Sequence, residues 1–358
     1  VTDPATVEDA PGEPGEVLVG ELLGDPEPSG SLLPARLDLD AFLAPTGLDA
    51  ARLAELRAAA AVVEELYDAA TTQATRDAYA DDWDHFTAWC ARYGLRALPA
   101  EPATVALYLG AHADEFAVST LNGRLSGIAH HHTENGHHSP TRHDAVRRVK
   151  KGLARTRGKP AKKKEPLYGP LLALVVTAAT VRDADGRLTL ASARDRAVIL
   201  LGQALADRRS ELTAIHADQI EFTAEGLRIH EGRSKTNQEG KAQSKVVPFN
   251  HARRDLCPVR AVQEWMDLAG IRLDTHAPLF VSIDRWGNLR ATALSPQSVN
   301  LIIKAAGRTA GLPEHLVAAL AGGSLRSGLV AGAKRGGAQD SDIMDQTHHT
   351  KVSTIHGY

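Results

Sequence analysis

Between Arg142 and Lys164 the chain carries eleven Lys and Arg residues in 23 positions, against a single acid, Asp144. Such closely spaced like charges repel one another unless a polyanion shares them, so this stretch must lie on the surface. Its first half keeps a helical apolar seam through Val146, Val149 and Leu153, and Gly158 and Pro160 then break the helix. The stretch is therefore read as a domain boundary, with a linker suited to following nucleic-acid phosphates. At 358 residues the chain has material for a core on each side of it.

The formal net charge of −3 hides a division. Residues 1–50 hold eleven carboxylates and one base, Arg36, which leaves residues 51–358 at +7. An acidic leader on a basic body points to nucleic acid or another anionic surface as partner. The leader is rich in Pro and Gly, buries little, and is expected to be largely disordered to about residue 45, with a lead-in helix from Ala50. Cys90 and Cys257 lack metal-ligand spacing and read as reduced thiols of a cytoplasmic protein. No apolar run is long enough to span a membrane, and the N-terminal residues lack the build of a signal peptide.

Residues 72–93 predict an amphipathic helix with Thr75 as N-cap and Tyr79, Trp83, Phe86, Cys90 and Tyr93 on one stripe, more suited to a core than to stacking on bases. Further helices are expected through Val105–Leu109 and Ser119–Asn135. The latter ends in His130, His131, His132, His137 and His138, read as a polar helix end near DNA, because adjacent histidines diverge and no set of metal ligands is completed. Beyond the basic stretch come an apolar helix at Arg194–Leu205 and short strands at Gln219–Phe222, Leu227–His230 and Lys245–Phe249. Helices return at Pro258–Leu268 and Ser295–Ala310. The class is mostly α (α+β) with a small antiparallel sheet. Nucleotide-binding glycine motifs are absent.

Three clusters carry chemistry: Ala206-Asp207-Arg208-Arg209-Ser210-Glu211-Leu212, Gly232-Arg233-Ser234-Lys235-Thr236, and Gly323-Ser324-Leu325-Arg326-Ser327-Gly328. With His349 and Tyr358 in the closing QTHHTKVSTIHGY, they suit in-line phosphoryl transfer. Planar guanidinium forks on Arg208 and Arg326 stabilise charge on non-bridging oxygens. A lysine with cationic neighbours is a proton donor for the leaving oxygen. A free phenol, with a pKa of about 10, needs a base or a strongly positive pocket to act as nucleophile. His349 and Tyr358 stand nine residues apart, about two and a half helical turns, which sets them on opposite faces of one helix. If both serve one site, a turn separates them, with Thr350 as N-cap of a short helix bearing Tyr358.

In order and spacing these clusters resemble the tyrosine recombinase (phage integrase) family, from about Thr72 to the last residue and including the CPVRAVQEW segment. The resemblance implies an N-terminal helical core-binding (SAM-like) domain and a C-terminal mixed α/β catalytic domain. The expected division is a leader and lead-in helix at 1–66, the core-binding domain at 67–157, a basic linker at 158–166 and the catalytic domain at 167–358. It also implies site-specific cleavage and rejoining of double-stranded DNA, with no metal and no cofactor. Catalytic roles fall on Arg208, its supporting Glu211, Lys235, Arg326, His349 and the nucleophile Tyr358. DNA contacts are expected from Arg142, Arg147, Arg148, Lys150, Lys151, Arg155, Arg157, Lys162, Lys163 and Lys164.

Four departures from the family pattern stand out. Gly323 occupies the place of the histidine of H-x-x-R, so that restoring a histidine there is expected to raise cleavage. Asp207 replaces an apolar residue and is expected to pair with a catalytic arginine. Lys351 stands where a small residue is common. The sequence ends at Tyr358, where the family continues into a segment that docks on a neighbouring protomer, so a homo-tetramer on paired sites is expected only if the natural chain extends further. The alternative is a DNA-binding homologue with impaired catalysis.

Overall fold

The computed structural model describes residues 39–44, 47–160, 164–231, 243–349 and 352–356. Of the expected site residues, Lys235, Tyr358, Lys162 and Lys163 lie outside these, as do Thr350, Lys351 and nearly all of the acidic leader. The chain divides into two compact units, Val1–Pro160 and Ala161–Tyr358.

The first unit is helical: α1 (Leu39–Leu43), α2 (Ala50–Ala69), α3 (Gln73–Arg92), α4 (Pro102–Ala111), α5 (Val118–Glu134) and α6 (Asp144–Arg157). Helix α2 starts where Asp49 accepts from the Arg52 N–H at 2.9 Å, and it buries none of its residues. Helix α3 is capped by Thr72, whose hydroxyl accepts from the Thr75 N–H at 3.3 Å. The expected cap at Thr75 is thus one turn late, because the first turn carries no apolar residue to mark it. Phe86 and Cys90 of α3 meet Val105, Tyr108 and Leu109 of α4, Leu121, Leu125 and Ile128 of α5, and Val146 and Leu153 of α6 in one core. Tyr93, placed on the same stripe, is 57% exposed.

The histidines at the end of α5 serve packing. His131 stacks on Trp83, ring centroids 4.7 Å apart and 10° from parallel, and His130 packs on Tyr79 at 4.6 Å. His132 is fully buried; its Nδ1 lies 2.7 Å from Ile128 O and its Nε2 accepts from the Ala100 N–H at 2.9 Å. That pattern requires the neutral Nδ1–H tautomer, and burial lowers the His132 pKa below the usual imidazole range. The polar helix end expected there is instead a seam between α3 and α5.

Helix α6 turns Val146 and Leu153 inward and leaves Arg147, Arg148, Lys150, Lys151, Arg155 and Arg157 exposed. Two of these are paired within the unit, Arg147 with Asp144 and Arg157 with Asp114 at 2.8 Å. Arg142 sits exposed in the turn before α6.

The second unit runs α7 (Gly169–Ala179), α8 (Leu190–Leu205), α9 (Arg209–Thr213), β1 (Ile220–Phe222), β2 (Gly226–Glu231), β3 (Gln243–Pro248), α10 (Pro258–Ala269), β4 (Val281–Ile283), β5 (Leu289–Ala293), α11 (Pro296–Thr309), α12 (Glu314–Ala319), α13 (Gly322–Arg335), α14 (Asp340–Thr347) and α15 (Val352–His356). Strands β1, β2 and β3 form an antiparallel sheet in that order, with Ile220 opposite Ile229 and Leu227 opposite Val247. A separate β4–β5 hairpin, not anticipated from the sequence, holds five exposed residues in β5.

Helix α8 is the axis of this unit. Eleven of its residues are buried, and it packs against both α10 and α13. It begins at Leu190, with the Thr189 hydroxyl accepting from the Ser192 N–H, four residues before the expected start. Among the described residues no helix is long and apolar enough to cross a membrane.

Candidate functional site: a cationic cleft at the end of α8

A helix ends with carbonyl groups that have no partner inside it, and burying them requires donors from elsewhere. At the end of α8 three successive carbonyls find such donors on three other elements. Gln346 Nε2 of α14 donates to Ala204 O at 2.9 Å, Lys245 Nζ of β3 to Leu205 O at 3.2 Å, and Arg326 Nη1 of α13 to Ala206 O at 2.6 Å. Ala206 itself is in the left-handed region, φ 54°, which turns its carbonyl away from the helix axis. A non-glycine residue there costs on the order of 1–3 kcal/mol, and the surrounding bonds hold it.

Arg326 lies in the second turn of α13 and is 8% exposed. Besides Ala206 O it donates from Nη2 to Thr347 O at 2.6 Å and from Nε to His349 Nε2 at 3.4 Å. These acceptors are all uncharged at neutral pH. The guanidinium thus keeps its full positive charge in a partly desolvated place, where it acts more strongly than in water. Two further N–H groups of its five are not used by these bonds.

His349 follows the left-handed residue His348 at the end of α14 and stands in a loop. Its Nδ1 lies 2.6 Å from Thr347 Oγ1, which in turn bonds Ile343 O at 2.6 Å. With Nε2 accepting from Arg326, the proton belongs on Nδ1. Burial, then the charges of Arg326 and Arg208, depress the His349 pKa to about 4, so the ring is neutral at physiological pH.

Arg208 precedes α9. Its backbone N–H donates to Glu211 Oε2 at 2.8 Å and its Nη1 to Glu211 Oε1 at 2.6 Å, so one carboxylate fixes both the turn and the guanidinium. Asp207 was expected from the sequence to pair with a catalytic arginine; among the described residues its carboxylate instead takes Lys245 Nζ at 2.5 Å. Both members of this pair are buried, at 9% and 4% side-chain exposure. Lys245 occupies an inward position of β3, beside the buried Val247 and alternating with the exposed Val246, and so reaches the end of α8.

Lys164, Arg208, Arg209, Lys304 and Arg326 line one cleft, where among the described residues the acid in the wall is Asp207, which holds Lys245 Nζ. Gly322 and Gly323, at the start of α13, form its floor. Beyond the cleft, α15 is tied down: Ile355 is fully buried against Val330 and Ile343, Lys334 Nζ donates to Ile355 O at 2.7 Å, and His356 meets Asp340 at 2.8 Å.

The structure therefore gathers Arg208 and Glu211, Arg326, and His349 from three segments. Sequence reasoning missed Lys245, Gln346, Thr347, Arg209 and Lys304 in their supporting or lining places, and it assigned Lys164 to the linker alone. Only Lys245 left a trace, as a charge directly before the apolar pair Val246-Val247 of the expected strand.

A cleft lined by three arginines and two lysines is suited to hold an anionic group. The phage integrase family model matches residues 179–358, and the chain belongs to that family, the tyrosine recombinases. It is 35% identical over 287 residues to the integrase/recombinase xerD homolog of Selenomonas ruminantium, covering 79% of this chain and 80% of that one. Among solved structures it resembles the XerH site-specific recombinase bound to difH substrate in its pre-cleavage complex, with a TM-score of 0.52 at 12% identity over 76% of this chain and 72% of that one. The post-cleavage complex of XerH with palindromic difH gives 0.51 at 12% identity over 77% and 72%. At such identity these two structures speak to the fold, which is the mostly helical one with a small antiparallel sheet expected from the sequence.

Proposed function

We propose that this chain is a site-specific DNA recombinase that cuts and rejoins strands through Tyr358. The observation that carries this reading is the convergence of Arg208 and Arg326 on one cleft with an excess of positive charge, with neutral His349 Nε2 3.4 Å from Arg326 Nε. The arginines hold the non-bridging oxygens of a phosphodiester. The positive field favours loss of the Tyr358 phenolic proton to water, and the phenolate oxygen attacks phosphorus in line. The P–O5′ bond breaks, Lys235 gives its proton to the departing 5′ oxygen, and a 3′-phosphotyrosyl bond and a free 5′-hydroxyl result. Attack by a partner strand's 5′-hydroxyl reverses each bond change and releases Tyr358. One ester replaces another at every step, so the cycle balances without ATP or metal.

Duplex DNA is held by the exposed bases of α6 together with Arg142, Lys162 and Lys163, through phosphate contacts that weaken as salt rises. Arg147 and Arg157 first have to leave their carboxylate partners, so Arg148, Lys150, Lys151 and Arg155 contribute more strongly. Cleavage on paired sites calls for a homo-tetramer. The rival reading is a DNA-binding homologue with impaired catalysis, and Gly323 in the place of a histidine is what favours it.

The test is a duplex nicked beside the cleavage point, which traps the covalent intermediate. The intact chain should form an adduct with this DNA that resists denaturant, and Tyr358→Phe should form none. An adduct that persists in the phenylalanine variant refutes the assignment of the nucleophile. DNA binding with no adduct from the intact chain supports the rival.

A further inference from the structure

Gly323 and Arg326 stand three residues apart on α13 and so share one face of the helix, the face that looks into the cleft. A side chain at 323 would lie beside the guanidinium. The position has none, and among the described residues a Cβ built there would meet one neighbour, Lys164 Cγ, at the ordinary contact distance of 3.8 Å. The lysine thus occupies the ground that a residue at 323 would otherwise cover.

The placement of Lys164 is set by the chain that follows it. Glu165 N–H donates to Ala319 O at 3.2 Å and Leu167 N–H to Ser324 O at 2.9 Å, in the first turn of α13. Leu167 is fully buried, and its carbonyl comes so close to Gly328 that a Cβ there would stand 2.1 Å from the oxygen. Segment 165–167 is thereby pressed against the helix that carries Arg326, one residue from Lys164. Among the described residues no carboxylate lies within ion-pair distance of Lys164.

We propose that Lys164 is a catalytic residue, its ammonium group donating to a non-bridging oxygen of the phosphodiester held by Arg208 and Arg326, in the space that Gly323 leaves open. The proposal rests on the strand-cleavage reading above and answers its weakest point. A cation delivered from the first residues of the second unit supplies the donor that the first turn of α13 lacks. Lysine suits the task as a compact charge on a flexible stem that reaches over a glycine. Lys304 and Arg209 line the same cleft from α11 and α9, but neither stands against Gly323.

The test uses the full chain and a duplex that it selects from a random-sequence pool, nicked beside the cleavage point. Lys164→Ala should slow formation of the Tyr358 adduct on fully bound DNA by about 10²-fold, the loss typical of one transition-state donor. Lys164→Arg should keep most of the rate. Gly323→His should raise the rate at least tenfold in the Lys164→Ala background and by a clearly smaller factor in the unaltered chain, a coupling that two independent sites would not show. Cleavage by Lys164→Ala within threefold of wild type overturns the proposal, and so does a loss that Gly323→His fails to relieve.

Failure of the broader reading shows differently, as the absence of any Tyr358-dependent adduct from the unaltered chain. The contact is then read from binding. An uncharged methylphosphonate at the contacted position should cost the wild type about tenfold in affinity and Lys164→Ala almost nothing. Equal costs in the two proteins exclude the contact.

Discussion

Lys245→Met removes the positive member of a buried pair and takes from the Asp207 carboxylate the ammonium group it holds at 2.5 Å. Stranding one charge of a buried pair costs about 3–5 kcal/mol, because the lost attraction is not replaced by water. The figure needs no discount for solvent screening, since the two side chains are 4% and 9% exposed. In a unit of the size of Ala161–Tyr358 each kcal/mol moves the melting temperature by roughly 2–4 °C, so the expected fall is on the order of 6–20 °C. Scanning calorimetry of the full chain reads this directly, as the transition of the second unit shifts and that of the helical unit stays. The double variant Lys245→Met/Asp207→Leu should recover most of the loss, since well-packed apolar side chains often match a buried ion pair in stability. A single-variant shift under about 3 °C, or a double variant no better than the single, would show that the pair is open to water and does not hold the strand to the helix.

Two further outcomes follow from the same region. The His349 pKa of about 4 in the folded chain lies below the ordinary imidazole value of 6.5, so between these pH values the unfolded chain binds more protons. Stability of the second unit should therefore decline as pH falls from about 6.5 towards 4, and His349→Gln should flatten that slope in pH-dependent melting; an unchanged slope assigns it to other groups. Gly328→Ala places a methyl group against the Leu167 carbonyl, a backbone contact that no side-chain rotation relieves, and should destabilise the second unit by about 1–3 kcal/mol in denaturant titration. A neutral result would mean that segment 165–167 is not held against α13.

Much of the fold was legible because apolar spacing reports burial: the Phe86–Cys90 stripe, the strands around Leu227 and Val247, and the helices at Pro258 and Ser295 all fall where periodicity placed them. What escaped was set by contacts between distant residues. Strand β5 of the β4–β5 hairpin is exposed throughout and carries no alternation to read, and β4 is only three residues long. The histidines of α5 look alike in sequence, yet stacking on Trp83 and Tyr79 and a bond to Ala100 give each a different task. At the cleft, Arg208 and Arg326 were marked by their local motifs, as was Glu211 by its place three residues after Arg208. Asp207 misled because its partner, Lys245, is 38 residues away and only the fold of β3 brings it near. Lys164 was hidden in a run of lysines, where nothing local distinguishes one charge from the next.

The three side chains that read the last carbonyls of α8 come from β3, α13 and α14, so the donors reach one another only when all of these elements are docked. The amide hydrogens of the α8 terminus and of α14 should therefore exchange as one cooperative unit with α13 and the sheet, rather than fray as helix ends usually do. A partly folded chain still carries all its arginines and lysines and still attracts DNA, but its Arg326 charge is not aimed. The aim of the Arg326 charge is in this sense a late property of folding, fixed only once the sheet, α13 and α14 are all docked against α8.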